Sequence, residues 1–432
     1  MNDAQLFRAT FFHTTGNPFR EAGALQSVGD GGILVRNGRI VASGTFEEIR
    51  RAGAAAEVVD WRGGVLLPGF VDTHVHYPQL AIVGRLGRTL LDWLEQVALP
   101  EEARMGDEQY ASACARRFVT ALAAHGTTTA LVFGAHFGTA TASLFEAAAN
   151  TGLRIISGLA ISDRVLPAPL LQSVDDAYRD STELIRRFHR RGRLLYAITP
   201  RFALSTSDAM LDMCGALLSE HRDLRVQSHV NENREEIRLV AERFPSAADY
   251  VSVYHRFGLT GSRTVLAHNV HASDGELECL AATGTAVAHC PTSNAALGSG
   301  IFPLRRHLDA GVRVALGTDV GGGTGLGMLK EGLQAYLMQR VLHDGVVLEA
   351  AQLLYLATLA GAEALGLAHE IGNLCPGKSA DFVYLRAPAG SVLNTVLQHA
   401  SSPEEALAAL FTLAGAENVR EVRVEGSIVH QV

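Results

Sequence analysis

Pro68-Gly69-Phe70-Val71-Asp72-Thr73-His74-Val75-His76 is an apolar strand pattern that ends on two imidazoles spaced i and i+2. Alternate residues of a strand share a face, so both rings can reach one ion. Three further apolar runs stop in the same way: Arg225 to His229, Thr264 to His268, and Val314 to Asp319. A single histidine at a strand end is more often a core or solvated residue than a ligand. Four strand ends that together supply four histidines and one aspartate reverse that reading.

Outward from this stretch, short apolar runs alternate with Ala- and Leu-rich helical stretches, the pattern of a parallel α/β architecture. Eight runs can be counted: Phe70 to His76, Thr128 to Phe133, Arg154 to Leu159, Leu194 to Thr199, Arg225 to His229, Thr264 to His268, Ala286 to His289, and Val312 to Asp319. Eight strands predict an α/β fold, a (β/α)8 TIM barrel over residues 68–367, with its active site at the C-terminal strand ends. The flanks differ. Gly31 to Val35, Arg39 to Gly44, Ala380 to Leu385 and Val422 to Gly426 read as short strands and turns. The simplest arrangement pairs 1–67 with 368–432 in a small composite β-sandwich beside the barrel.

Composition narrows the function. The 432 residues are 47% hydrophobic and 19% charged, an ordinary globular balance with room for a large core. A formal charge of −8 argues against a nucleic-acid surface, which would concentrate Lys and Arg on one face. No apolar stretch reaches the roughly 18 residues that span a bilayer, and Met1-Asn2-Asp3-Ala4-Gln5 lacks the basic and apolar regions of a signal peptide. The expectation is a cytoplasmic protein acting on a small molecule. Five scattered cysteines, an odd number without a CxxC pair, indicate neither a disulfide framework nor a Cys-type zinc site. The glycines of Gly321 to Gly327 match no phosphate-loop spacing and are read as allowing close backbone approach to the metal.

His74, His76 and His229 with Asp319 make an N3O donor set suited to Zn²⁺ with one position left for water; imidazole and carboxylate also suit Fe²⁺. The ordered set PGFVDTHVH, Thr199-Pro200-Arg201-Phe202, His229-Val230-Asn231-Glu232-Asn233, His268-Asn269, His289-Cys290-Pro291-Thr292-Ser293-Asn294 and Gly317-Thr318-Asp319-Val320-Gly321-Gly322-Gly323 resembles the amidohydrolase superfamily and, within it, the guanine deaminases. The pieces fall in family order from about residue 64 to residue 385. The resemblance implies hydrolytic deamination of guanine to xanthine and ammonia, a homodimer, and a catalytic or metal-binding role for His268. Two-metal members typically bridge their ions with a carboxylated lysine at the end of the fourth strand. The only lysines here, Lys330 and Lys378, both follow Asp319, so one metal ion per subunit is expected.

Deamination needs a proton delivered to a ring nitrogen and then to the departing amine. The resemblance gives that shuttle to Glu232, although the His-x-x-Glu spacing alone equally fits a glutamate opening a helix. Asp319 is expected to take a proton from the attacking water. The fork of Arg201 can bind a substrate carbonyl, or form a salt bridge; the amide of Gln79 can read a purine edge, or stabilise its loop. Trp93 and Phe202 can stack on a flat base, or be core residues. The same machinery would serve 8-oxoguanine, pterin or triazine amines. A ring-opening amidohydrolase and a non-catalytic barrel are the remaining alternatives.

Overall fold

The computed structural model describes residues 4–53 and 55–432; the first three residues of the leader reading lie outside them. Eight parallel strands form one path in chain order: Phe70–His76, Thr127–Phe133, Arg154–Gly158, Leu195–Pro200, Arg225–Val230, Thr264–His268, Ala286–His289 and Arg313–Leu316. Nearly every residue in them is buried, as expected of strands covered on both faces. The two end strands come together through Thr73 Oγ1, which donates to Leu316 O (2.8 Å), Asp319 N to His74 O (2.8 Å) and His76 N to Val320 O (3.0 Å). Closure therefore falls on the residues that carry the ligands. A short strand, Ala160–Ile161, pairs with Thr199 and Pro200 outside this path.

The eighth run departs from its expected length. The ladder ends at Leu316 rather than Asp319, because the chain turns there: Asp319 has φ 47°, outside the β region. Gly317 permits the turn, since a Cβ there would stand 2.8 Å from that of His74.

Both termini join in one seven-stranded sheet, in the order Ser427–Gln431, Val419–Val424, Phe382–Leu385, Glu57–Pro68, Gln5–Thr14, Leu25–Arg36, Arg39–Thr45. All neighbours are antiparallel except Gln5–Thr14 with Glu57–Pro68. Register shifts near Ala9 mark bulges in its central strands, and Phe7, Phe11, Ile33, Ile40, Leu66 and Phe382 form its own core. Strand Glu57–Pro68 passes through Gly69 directly into the first barrel strand, so the sheet anchors the stretch that ends on His74 and His76. The C-terminal part also contains helices Val392–His399 and Pro403–Leu413, the second of which packs on barrel helices Met328–Val341 and Ala350–Ala357.

Candidate metal and active site

At the C-terminal mouth of the barrel His74, His76, His229 and Asp319 bring four ligand atoms within 4.8 Å of one another. His76 Nε2 lies 3.3 Å from His74 Nε2 and 3.2 Å from His229 Nε2, while Asp319 Oδ1 is 3.1 Å from His74 Nε2 and 3.3 Å from His76 Nε2. Burial lowers the proton affinity of all three rings, to about 4 for His76, so they stand as neutral donors. Burial opposes the charge of Asp319, but the neighbouring histidines hold its carboxyl well below the usual range. Packing three lone pairs and a carboxylate this closely fits a divalent cation.

Further contacts fix the ligands. His229 Nδ1 donates to Arg201 O (2.5 Å), which turns Nε2 toward the cluster. Phe133 packs against the rings of His74, His76 and His229 at 4.5 to 5.1 Å between centroids. Asp72 accepts from His74 N (3.1 Å), Thr318 N (3.0 Å) and Thr318 Oγ1 (2.5 Å), locking the first strand to the turn before Asp319. The glycine run is tightly seated, because a Cβ on Gly323 would meet Thr318 O at 1.8 Å.

His268 stands outside the four-atom group. Its Nε2 lies 3.7 Å from Asp319 Oδ2, the oxygen turned away from His74 and His76, and 3.4 Å from Glu232 Oε2; its Nδ1 bonds Asn294 Oδ1 at 2.9 Å. The backbone at His268 is left-handed, φ 73°, a strained state for a non-glycine residue that the surrounding structure must hold. Glu232 is buried, and Ser299 Oγ donates to it at 3.2 Å. Burial first, then the charge of Asp319, push its carboxyl well above the ordinary value, so it is set to hold a proton.

One cavity gathers these groups: His76, His229, Glu232, His268 and Asp319 line it with Gln79, Arg201, Trp93, Phe202 and Leu90. Arg201 and Gln79 are both engaged with a buried carboxylate. Arg201 Nη1 contacts Glu102 at 2.6 and 2.8 Å, and Gln79 Nε2 donates to Glu102 Oε1 at 2.6 Å, while Gln79 Oε1 accepts from Gly321 N at 3.0 Å.

Comparison with known proteins gives the same direction. The sequence model of the amidohydrolase family matches residues 65–429. The chain belongs to the amidohydrolase family. It is 54% identical, over 98% of both chains, to a Deinococcus radiodurans protein named "Probable guanine deaminase". The solved E. coli guanine deaminase superposes with a TM-score of 0.94 at 38% identity, covering 99% of each chain. A guanine deaminase from C. acetobutylicum, solved with bound guanine in the active site, superposes at 0.91 with 26% identity, over 99% of this chain and 100% of that one.

In this amidohydrolase the site residues singled out in the sequence line one cavity, except His74, which joins the ligand cluster without lining it; the division of labour was only partly visible. The salt bridge of Arg201 and the loop contact of Gln79 are both present, and both side chains also line the cavity. Trp93 is likewise in an apolar cluster with Ile82, Leu90 and Val97 and on the cavity wall. Sequence reasoning missed Glu102, His136 (Nε2 3.3 Å from Glu102 Oε2), Ser299 and Asn294. Only Asn294 carried a signal, as the last residue of the quoted His-Cys-Pro-Thr-Ser-Asn piece.

Proposed function

We propose that this amidohydrolase hydrolyses guanine to xanthine and ammonia with one Zn²⁺ per subunit, Fe²⁺ being the alternative the same donors accept. The observation that carries the reading is the union, in one cavity, of an N3O cluster, a buried proton-holding Glu232 and a pair of donors, Arg201 and Gln79. Relatives named as guanine deaminases along the whole chain support it. An ion held by His74, His76, His229 and Asp319 would supply Lewis-acid activation of a water molecule.

The rest of the chemistry falls to side chains. Asp319 Oδ2, on the side away from His74, is placed to take a proton from the attacking water. Glu232 delivers its proton to the ring nitrogen and then a second, the one Asp319 took from the water, to the departing amine; His268 Nε2 lies between the two carboxyls. Arg201 and Gln79 grip the far edge of the base, and Trp93 and Phe202 cover its faces.

A homodimer is proposed on the resemblance alone. A cytoplasmic location is supported by five free cysteines, two of them only partly buried. Among the described residues no helix is long and apolar enough to cross a membrane. The deciding experiment is ammonia release by metal-loaded protein from guanine, 8-oxoguanine, pterins and amino-triazines, with bound metal counted. Guanine should lead by kcat/KM at one equivalent of ion; a pterin or triazine turned over faster would reassign the substrate.

A further inference from the structure

We infer that Glu102 is a positioning residue that turns hydrogen-bond donors toward the substrate-reading edge of the cavity, by orienting Gln79 and Arg201 together. This rests on reading the cavity as a purine deaminase site. Glu102 lies in the short helix Leu99–Ala103 and is almost fully buried. A buried carboxylate is costly unless paired. Its partners are Arg201 Nη1, on both oxygens, Gln79 Nε2, and the nearby His136 ring.

The consequence follows from which groups can donate. An ionised carboxylate only accepts, so it selects the NH₂ end of the Gln79 amide; the backbone N–H of Gly321 only donates, so it selects the oxygen end. A flipped Gln79 would set oxygen against oxygen and N–H against N–H. The amide is thus fixed, with its oxygen turned to the Gly321 backbone and, at its nitrogen end, one N–H left for a ligand. Arg201 has no acceptor at all, and among the described residues its Nε and Nη2 make no hydrogen bond to protein. At the end held by Glu102, two side chains that line the cavity therefore present hydrogens. They complement a heterocycle edge of acceptors, a lactam oxygen with an unprotonated ring nitrogen, and reject an edge bearing an amino group, whose hydrogens would meet hydrogens.

The test measures binding directly, so it does not depend on turnover. Calorimetry of metal-loaded protein with hypoxanthine, which carries the 6-oxo group, and adenine, which carries a 6-amino group, should show a strong preference for hypoxanthine. In Glu102→Gln that preference should shrink roughly 10- to 100-fold, the scale of a charged hydrogen bond, with metal content unchanged. The new amide can present either end to Gln79, so that only the Gly321 N–H still opposes a flip. Glu102→Asp keeps the charge but shortens the arm, and should give a smaller loss of preference of roughly threefold or more; it carries the test if Glu102→Gln does not fold. Wild-type protein without a preference for hypoxanthine, or variants that weaken both ligands equally, would overturn the inference. Failure of the functional reading would show separately, as wild-type protein that releases no ammonia from guanine.

Discussion

Replacing Glu232 by glutamine separates chemistry from architecture at this site. The carboxyl touches little: Ser299 Oγ donates to one oxygen at 3.2 Å and His268 Nε2 lies 3.4 Å from the other. Glutamine has the same length, its oxygen can accept from Ser299, and its NH₂ can face His268 Nε2, so packing and the four-ligand cluster should survive. The variant even removes a buried ionisable group, whose charge burial disfavours first and Asp319 second. What disappears is a proton that can leave and return. A positioned acid or base contributes about 10² to 10⁴ in rate, and Glu232 serves twice, at the ring nitrogen and at the amine. The expected loss in kcat is therefore in the upper part of that range, about 10³ to 10⁴, or about 4 to 5.5 kcal/mol. Binding should hardly change. Single-turnover ammonia release, metal content and calorimetric binding of guanine check this together. A kcat within tenfold of wild type, or loss of metal and fold along with activity, would refute the shuttle role.

Asp319→Asn keeps an oxygen ligand but removes the base, so turnover should drop roughly a thousandfold; near-normal ammonia release would take Asp319 out of proton transfer. Arg201→Ala should lower kcat/KM for guanine by about 2 to 3 kcal/mol and barely change the slow rate on 2-aminopurine, which lacks the 6-oxo group; equal losses would mean that Arg201 only shapes the site. The same variant strands buried Glu102, and a calorimetric melt should show destabilisation of about 3 to 5 kcal/mol. Burial pushes the Glu331 carboxyl up to about 8, against hydrogen bonds from Thr292 N and Oγ1 that lower it. A carboxyl raised in the fold stabilises it fully below the ordinary value of 4.5, and that contribution is lost as pH rises to about 8, because the unfolded chain ionises first. Wild-type Tm should therefore fall relative to Glu331→Gln between those pH values; parallel melting curves would refute it.

The barrel was legible because its strands are buried on both faces and read as unbroken apolar runs. Phe70–His76, Thr264–His268 and Ala286–His289 have the bounds that the sequence suggests. The edge strand Ser427–Gln431 was not legible, being half exposed and without a hydrophobic face to mark it. The eighth run misled because the strand was read through Gly317 and Thr318 to its ligand, whereas the backbone leaves the ladder after Leu316 to present Asp319.

The same distinction explains the site. A ligand at the end of a strand is positioned by the strand itself, so chain order and a period of two suffice to place His74, His76 and His229. Glu102 sits in Leu99-Pro100-Glu101-Glu102-Ala103-Arg104, which reads as an ordinary charged helix surface. Its neighbour Glu101 is buried as well, but its ion pair is local, with Arg104 three residues on. What buries Glu102 is Arg201, 99 residues away, brought to it by the barrel. Residues that act on the ion are fixed by local periodicity, whereas a residue that acts through others is fixed by closure of the whole sheet. The second kind becomes visible only once the strands that carry its partners stand side by side, and for that reason the donor pattern of this cavity had to be read from distances.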